Sequence, residues 1–166
     1  MYTWQFSKAQ YTADLHGWTR FAAMQNHYNL VYREEEREMI PFCIDQGTAL
    51  VCWSPLARGF LAGNRTREKG GDTDRSISDT WAHGAYYLDS DFDVLDNVRK
   101  IATQHNVTQA QISLAWVLNK SYVCAPIIGA TKPNHLEEAV AALEIKLSPE
   151  EMTLLEDSYR PHPVAM

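Results

Sequence analysis

Two stretches of this chain carry residue types that grip small molecules. Trp53-Ser54-Pro55-Leu56-Ala57-Arg58-Gly59 follows the apolar run Thr48-Ala49-Leu50-Val51-Cys52, and Pro126-Ile127-Ile128-Gly129-Ala130-Thr131-Lys132 ends a second apolar run. In each, a strand-like segment gives way to small residues, a hydroxyl and a cation. Ligands of open parallel sheets bind outside the carboxyl ends of the strands, so such loops make a platform for a ligand. A third segment, Gln25-Asn26-His27-Tyr28, adds an amide, an imidazole and a phenol. His27 and Tyr28 are of the types that move protons. They are the candidates for acid–base work, set against an ordinary structural role; no other catalytic residue is assigned.

The elements that must position these residues follow from pattern. Residues 3–16 set Trp4, Phe6, Ala9 and Ala13 among polar residues, which predicts an amphipathic helix ending near Gly17. Phe21-Ala22-Ala23-Met24-Gln25 reads as a short buried strand. Residues 34–46 read as an acidic-led helix stopped by Gly47, with Pro41 imposing a kink or a late start. Thr48 to Trp53 is a second strand. A long segment over 60–90 carries Gly63, Gly70 and Gly71, a solvated charge run (Arg65, Arg67, Lys69) and the anchors Trp81, His83, Tyr86 and Tyr87. Helices follow at 92–106 and after the capping box Thr108-Gln109-Ala110-Gln111. Tyr122 to Ile128 is a third strand. A helix over 132–143 presents Leu136, Val140 and Leu143 on one face, and a last helix starts at Ser148-Pro149-Glu150-Glu151. Short unalternating strands, each followed by helix, call for a parallel sheet covered by helices: an α/β fold.

The 166 residues suffice for one domain, 1–166, with a real core. A net charge of −6 without a basic cluster excludes a nucleic-acid binder. No apolar run approaches the ~20 residues of a membrane helix. Cys43, Cys52 and Cys124 are odd in number and widely spaced, so neither a disulfide framework nor a metal site is expected. Cys52 and Cys124 are expected as buried thiols. The expected compartment is cytoplasmic.

Gln25 at a strand end, Trp53 to Gly59, and Ile128 to Lys132 with Leu136-Glu137-Glu138 together resemble the aldo-keto reductases, and within them the aryl-alcohol-dehydrogenase-like subgroup. The resemblance covers nearly the whole chain, in order and spacing. It implies a TIM barrel, a fold of about 250 residues, of which this chain matches the C-terminal half: a partial barrel whose three strands correspond to the sixth, seventh and eighth. It implies an NADP-dependent oxidoreductase that transfers hydride between carbonyl and alcohol. In that role Gln25 would bond the nicotinamide carboxamide and Trp53 would stack on its ring, as aromatic faces allow. Ser54, Leu56, Arg58 and Gly59 would line the pyrophosphate, for which a cation and loop amides are suited. Ala130, Thr131, Lys132 and His135 would meet the adenosine ribose and its 2′-phosphate, and Glu138 the adenine. Two positions depart from the family pattern: Ala139 stands where Asn is frequent, and His135 where Gln or Arg is common. The family's catalytic Asp, Tyr, Lys and His belong to the first four strands, which the resemblance does not reach.

Three strands leave two open edges and an uncovered inner face, which invites pairing. The expected partner is a second copy or a complementary N-terminal half, hiding Phe21, Met24, Val51 and Ile127. The alternative function is a non-catalytic or non-redox module that oligomerises through this face.

Overall fold

The computed structural model describes residues 1–63, 65–67, 71 and 78–164. The expectations for Lys69 and Gly70 lie outside them. Its centre is a three-stranded sheet in the order β1 (Ala23–His27), β2 (Ala49–Trp53), β3 (Val123–Pro126), parallel throughout. The α-helices are α1 (Thr3–His16), α2 (Met39–Asp45), α3 (Thr80–Ala85), α4 (Asp89–His105), α5 (Gln109–Leu118), α6 (Pro133–Ala141) and α7 (Pro149–Glu156). Short 3-10 turns occupy Glu34–Glu36, Ala57–Ala62 and Ala142–Glu144. Each strand is followed by helix, as the apolar, unalternating strands predict.

Local chemistry sets the boundaries. Pro41 is the third residue of α2, so the acidic run Glu34–Glu36 forms a separate 3-10 turn and the helix starts late. Gly47, at φ 62, turns the chain into β2. Thr108 and Ser148 cap α5 and α7 with reciprocal bonds to Gln111 and Glu151.

Register decides the faces. Met24 and Asn26 pair with Leu50 and Cys52 beneath the helices; Gln25 and His27 pair with Val51 and Trp53 on the other face. In the helix-side core, Trp116 is fully buried, 5.2 Å from the ring of Tyr28. Glu156 ties this layer together. It accepts from the Trp116 indole at 2.9 Å, Lys120 at 2.6 Å and Arg33 at 3.0 Å.

Several expectations change. β1 starts at Ala23, not Phe21, because the Gln10 amide takes both backbone groups of Phe21, at 2.9 and 3.0 Å. Phe21 is exposed, and the strand continues into polar Asn26 and His27. Gln25 therefore sits mid-strand, not at its end. Met24 lies under the helices, so it is not part of the uncovered face. Cys124 is exposed, beside a register irregularity between β2 and β3. Cys43 and Cys52 are buried, and burial pushes their thiols up to about 11 and 12. Trp4 is exposed on α1, and Leu136, Val140 and Leu143, the apolar stripe of α6 and its following turn, are each more than half exposed. The two sheet edges, at β1 and β3, have no further strand among the described residues.

The tail after α7 runs extended and is locked down. The Tyr159 hydroxyl donates to Glu34 and accepts from the Arg33 amide, and the His162 amide donates to the same Glu34 carboxylate at 3.0 Å. The His162 ring meets Asp91 at 2.9 Å, both buried. That bond raises the His162 pKa above its ordinary 6.5. The pair's contribution is thus full below pH 6.5 and fades as pH rises through the raised folded value. His162→Gln should cost about 3 kcal/mol near pH 6, the scale for breaking a buried pair from one side. Urea unfolding of both chains from pH 5.5 to 9 checks this: the gap between them should narrow as pH rises.

Candidate functional site

Parallel register delivers the carboxyl ends of β1, β2 and β3 to one edge of the sheet. His27 and Trp53 are paired there, and the Ile127 amide donates to the Cys52 carbonyl at 2.7 Å, so the loop after β3 leaves beside Trp53. Gln25 is exposed on the open face, one pair below, alongside Val51.

The chain after Trp53 takes an unusual path. Ser54, Ala57 and Arg58 have φ of 55, 47 and 55, and Gly59 has φ 95. Left-handed backbone at three non-glycine residues is strained, a feature that clusters at ligand sites. Internal bonds hold it: the Ala57 amide donates to the Ser54 carbonyl, the Arg58 amide to Ser54 Oγ, and the Gly59 amide to the Leu56 carbonyl. Arg58 is fixed sideways. Its Nε meets Asp79 at 2.5 Å and its guanidinium lies 5.4 Å from the Trp81 ring. Asp79 also caps α3 by accepting from the Ala82 amide.

His27 shares the open face yet is buried. A tight turn, closed by reciprocal bonds between Asn29 and Tyr32, folds Tyr32 back over it. The imidazole is stacked between Tyr32, 4.0 Å away at 13°, and Trp53, 4.2 Å away at 16°. Its Nε2 lies 2.6 Å from the Tyr86 hydroxyl and 3.3 Å from Asn29 Nδ2. The other ring nitrogen, Nδ1, is buried with no hydrogen-bond partner among the described residues. Burial, reinforced by nearby His162, lowers the His27 pKa to about 3. Burial pushes the Tyr86 phenol up to about 12. Asn29 also donates to the Ser54 carbonyl at 2.9 Å, joining β1 to the loop after Trp53.

Tyr28 points the other way. Fully buried, it donates to Glu36 and shares a 2.7 Å bond with Tyr122. Desolvation, with the Glu36 charge beside it, raises its pKa strongly. Of the His27–Tyr28 pair, one is buried in a ring stack and the other is part of the core. Of the charge run, Arg65 is buried and bonds Tyr87, and Arg67 bridges Asp93 and Asp96.

On the far side, Ala130, Thr131, Lys132 and His135 are all exposed, with Lys132 at the N-cap position of α6 and Pro133 opening the helix. Glu138 is half-buried and accepts from the Thr108 hydroxyl at 3.3 Å. Thr108 also lines a cleft of about 490 Å³ with Gly63, Arg99 and Gln109.

Tyr32, Asn29, Asp79, Trp81 and Tyr86 complete the site; of these the sequence points to Tyr86, as an acid–base type like His83 and Tyr87, and to Trp81 as an apolar anchor. Asn29 offers a local signal, as an Asn following a strand is suited to bond its own backbone two residues on, which it does at Val31. Tyr32 is placed by that same turn, and Asp79, Trp81 and Tyr86 come from residues distant in sequence.

The His27 environment has a pH signature. The unfolded chain protonates it at 6.5, the folded one only near 3. Between those values the unfolded state holds the extra proton, so this residue makes stability fall with acid by up to about 1.4 kcal/mol per pH unit. His27→Phe should remove that slope. Urea unfolding of both chains should give a stability difference that tilts between pH 6 and 4 and is flat above pH 7.

Known proteins are similar to this chain in sequence and fold. A model of the aldo/keto reductase family matches residues 2–160. A Schizosaccharomyces pombe relative provisionally named an aryl-alcohol dehydrogenase (C977.14c) is 42% identical over 99% of this chain and 46% of its own length. Versiconal hemiacetal acetate reductase of Aspergillus parasiticus is 40% identical over 97% of this chain and 47% of its own. The thermostable aldo-keto reductase Tm1743, crystallised with the inhibitor epalrestat, superposes with a TM-score of 0.57 at 33% identity, covering 81% of this chain and 38% of that one. The chain spans about half the length of the curated relatives it matches. Three parallel strands alternating with helices fit part of the aldo-keto reductase TIM barrel. By its fold and by a family match running over nearly all its residues, the chain belongs to the aldo/keto reductase family.

Proposed function

We propose that residues 1–166 form the dinucleotide-holding half of an oxidoreductase that moves hydride between a nicotinamide cofactor and a small carbonyl compound or its alcohol, with NADP preferred. The observation that carries this reading is the shared edge: the register brings Trp53, the strained loop to Gly59 and the start of the loop leading to Lys132 to one end of the sheet, with Gln25 mid-strand on the same open face. The groups there suit the cofactor. An exposed amide and a half-exposed indole stand at one side, a guanidinium on a tight loop in the middle, and an ammonium with hydroxyl and imidazole neighbours at the other.

In this reading Gln25 bonds the carboxamide and Trp53 offers its face to the nicotinamide ring. Ser54, Leu56, Arg58 and Gly59 hold the pyrophosphate; Arg58 serves as a cation already oriented by Asp79. Ala130, Thr131, Lys132 and His135 hold the ribose and 2′-phosphate, and Glu138 the adenine. When bound, the dinucleotide supplies or accepts the hydride. No proton donor is assigned within these residues. It comes from the complementary first half of the barrel, which is also the partner for the apolar faces of α1 and α6. The reading takes the cytosol as the compartment, supported by the absence of a paired cysteine among the described residues.

Titration of NADPH and NADH into the chain, followed by tryptophan fluorescence, tests this. NADPH should quench the emission, and Trp53→Phe should remove most of the quenching. Lys132→Ala should weaken NADPH about tenfold, or about 1.4 kcal/mol, and NADH less than twofold. Equal weakening of both, or no quenching by either, counts against the proposal.

A further inference from the structure

Trp53 does not stand alone at its strand end. One face of its indole is covered by the His27 imidazole, which is covered in turn by Tyr32, all three planes within 16° of their neighbours. Trp81, 6.0 Å from Trp53, is tilted by 48°, so it is not a second parallel cover. The imidazole cannot easily turn, because Tyr86 and Asn29 both reach its Nε2. Asn29 in addition grips the Ser54 carbonyl, the next residue after Trp53.

We propose that His27 is a positioning residue: a flat, neutral spacer, clamped between Tyr32 and Trp53, that sets the plane of the indole on which the nicotinamide is held. The inference rests on reading Trp53 as that platform. It gives His27 a role quite different from proton transfer. A group held in a stack with no exposed nitrogen acts only through what it touches, and it touches Trp53. Holding a planar ligand well depends on a receiving surface already ordered before binding, since ordering it on binding costs affinity. Flatness is therefore the required property of residue 27. The link to Tyr86 ties that flat ring to α3, so the plane of Trp53 is referred to the same segment that orients Arg58 through Asp79.

The test has two arms on the full chain. The first needs no cofactor: the order parameter of the Trp53 indole N–H, measured by ¹⁵N relaxation. Wild type and His27→Phe should both stay near the rigid value of about 0.85, whereas His27→Ala should drop below about 0.6. The second arm measures binding of NADPH and of 2′,5′-ADP, which lacks the nicotinamide. His27→Ala should weaken NADPH at least tenfold and leave 2′,5′-ADP within twofold, and His27→Phe should restore NADPH to within threefold. If His27→Ala does not fold, His27→Leu, which fills the space without a flat ring, takes its place with the same expectations. An indole as ordered in the Ala or Leu variant as in wild type overturns the proposal. So does equal weakening of both ligands in a folded variant, which would mark His27 as merely structural. A wild-type chain that binds neither ligand defeats the cofactor reading instead, and the first arm still decides whether His27 positions Trp53.

Discussion

Everything at the candidate site depends on three strands running the same way in fixed register. A parallel sheet collects its carboxyl ends at one edge, and its period of two sends Gln25, Val51 and Ala125 to the open face while Leu50 and Cys52 anchor the helices. A slip of one residue in β1 would bury Gln25, turn His27 into the helical layer and leave Trp53 without its stacked neighbour. The helix side makes such a slip costly, because Leu50, Cys52 and the Trp116–Tyr28 contact are packed tight. The site is precise because its back is a core.

Above the sheet, precision comes from aromatic stacking and short polar bonds. The Tyr32–His27–Trp53 column is held by Tyr86 and Asn29 on one side. On the other, the C-terminal tail brings His162 within 6.4 Å of the Tyr32 ring. The two histidines have opposite electrostatic habits. His162 has Asp91 as a partner and favours its charge, whereas His27 is desolvated, faces that charge and stays neutral. A neutral imidazole stacks without a desolvated charge beside the indole.

Much of this was legible in the sequence where local chemistry decides structure. The boxes at Thr108 and Ser148, the delayed start at Pro41 and the turn at Gly47 follow from capping and backbone rules. β2 is an unbroken apolar run, and its flanking loop announces the site. What was not legible depends on distant partners. Gln10, eleven residues away, removes Phe21 from β1, and nothing near Phe21 signals it. His27 reads as a polar residue after a strand and a candidate for proton transfer, yet it is enclosed by rings from the turn at Tyr32 and from Tyr86, 59 residues away. Leu136, Val140 and Leu143 read correctly as an apolar stripe, but periodicity tells which face is apolar, not what covers it.

If the ends of the three strands and the open face beside them form one cofactor surface, NADP⁺ must reach all of them at once. Titrating the isotope-labelled chain with NADP⁺ while following amide and indole NMR shifts decides this. The perturbed signals should gather at Gln25, at the Trp53 indole, along 54–59 and along 130–138, all moving with one dissociation constant. Perturbations gathered instead at the opposite end of the strands, around Cys43, Thr48 and Tyr122, or split between sites with separate constants, would contradict a single surface.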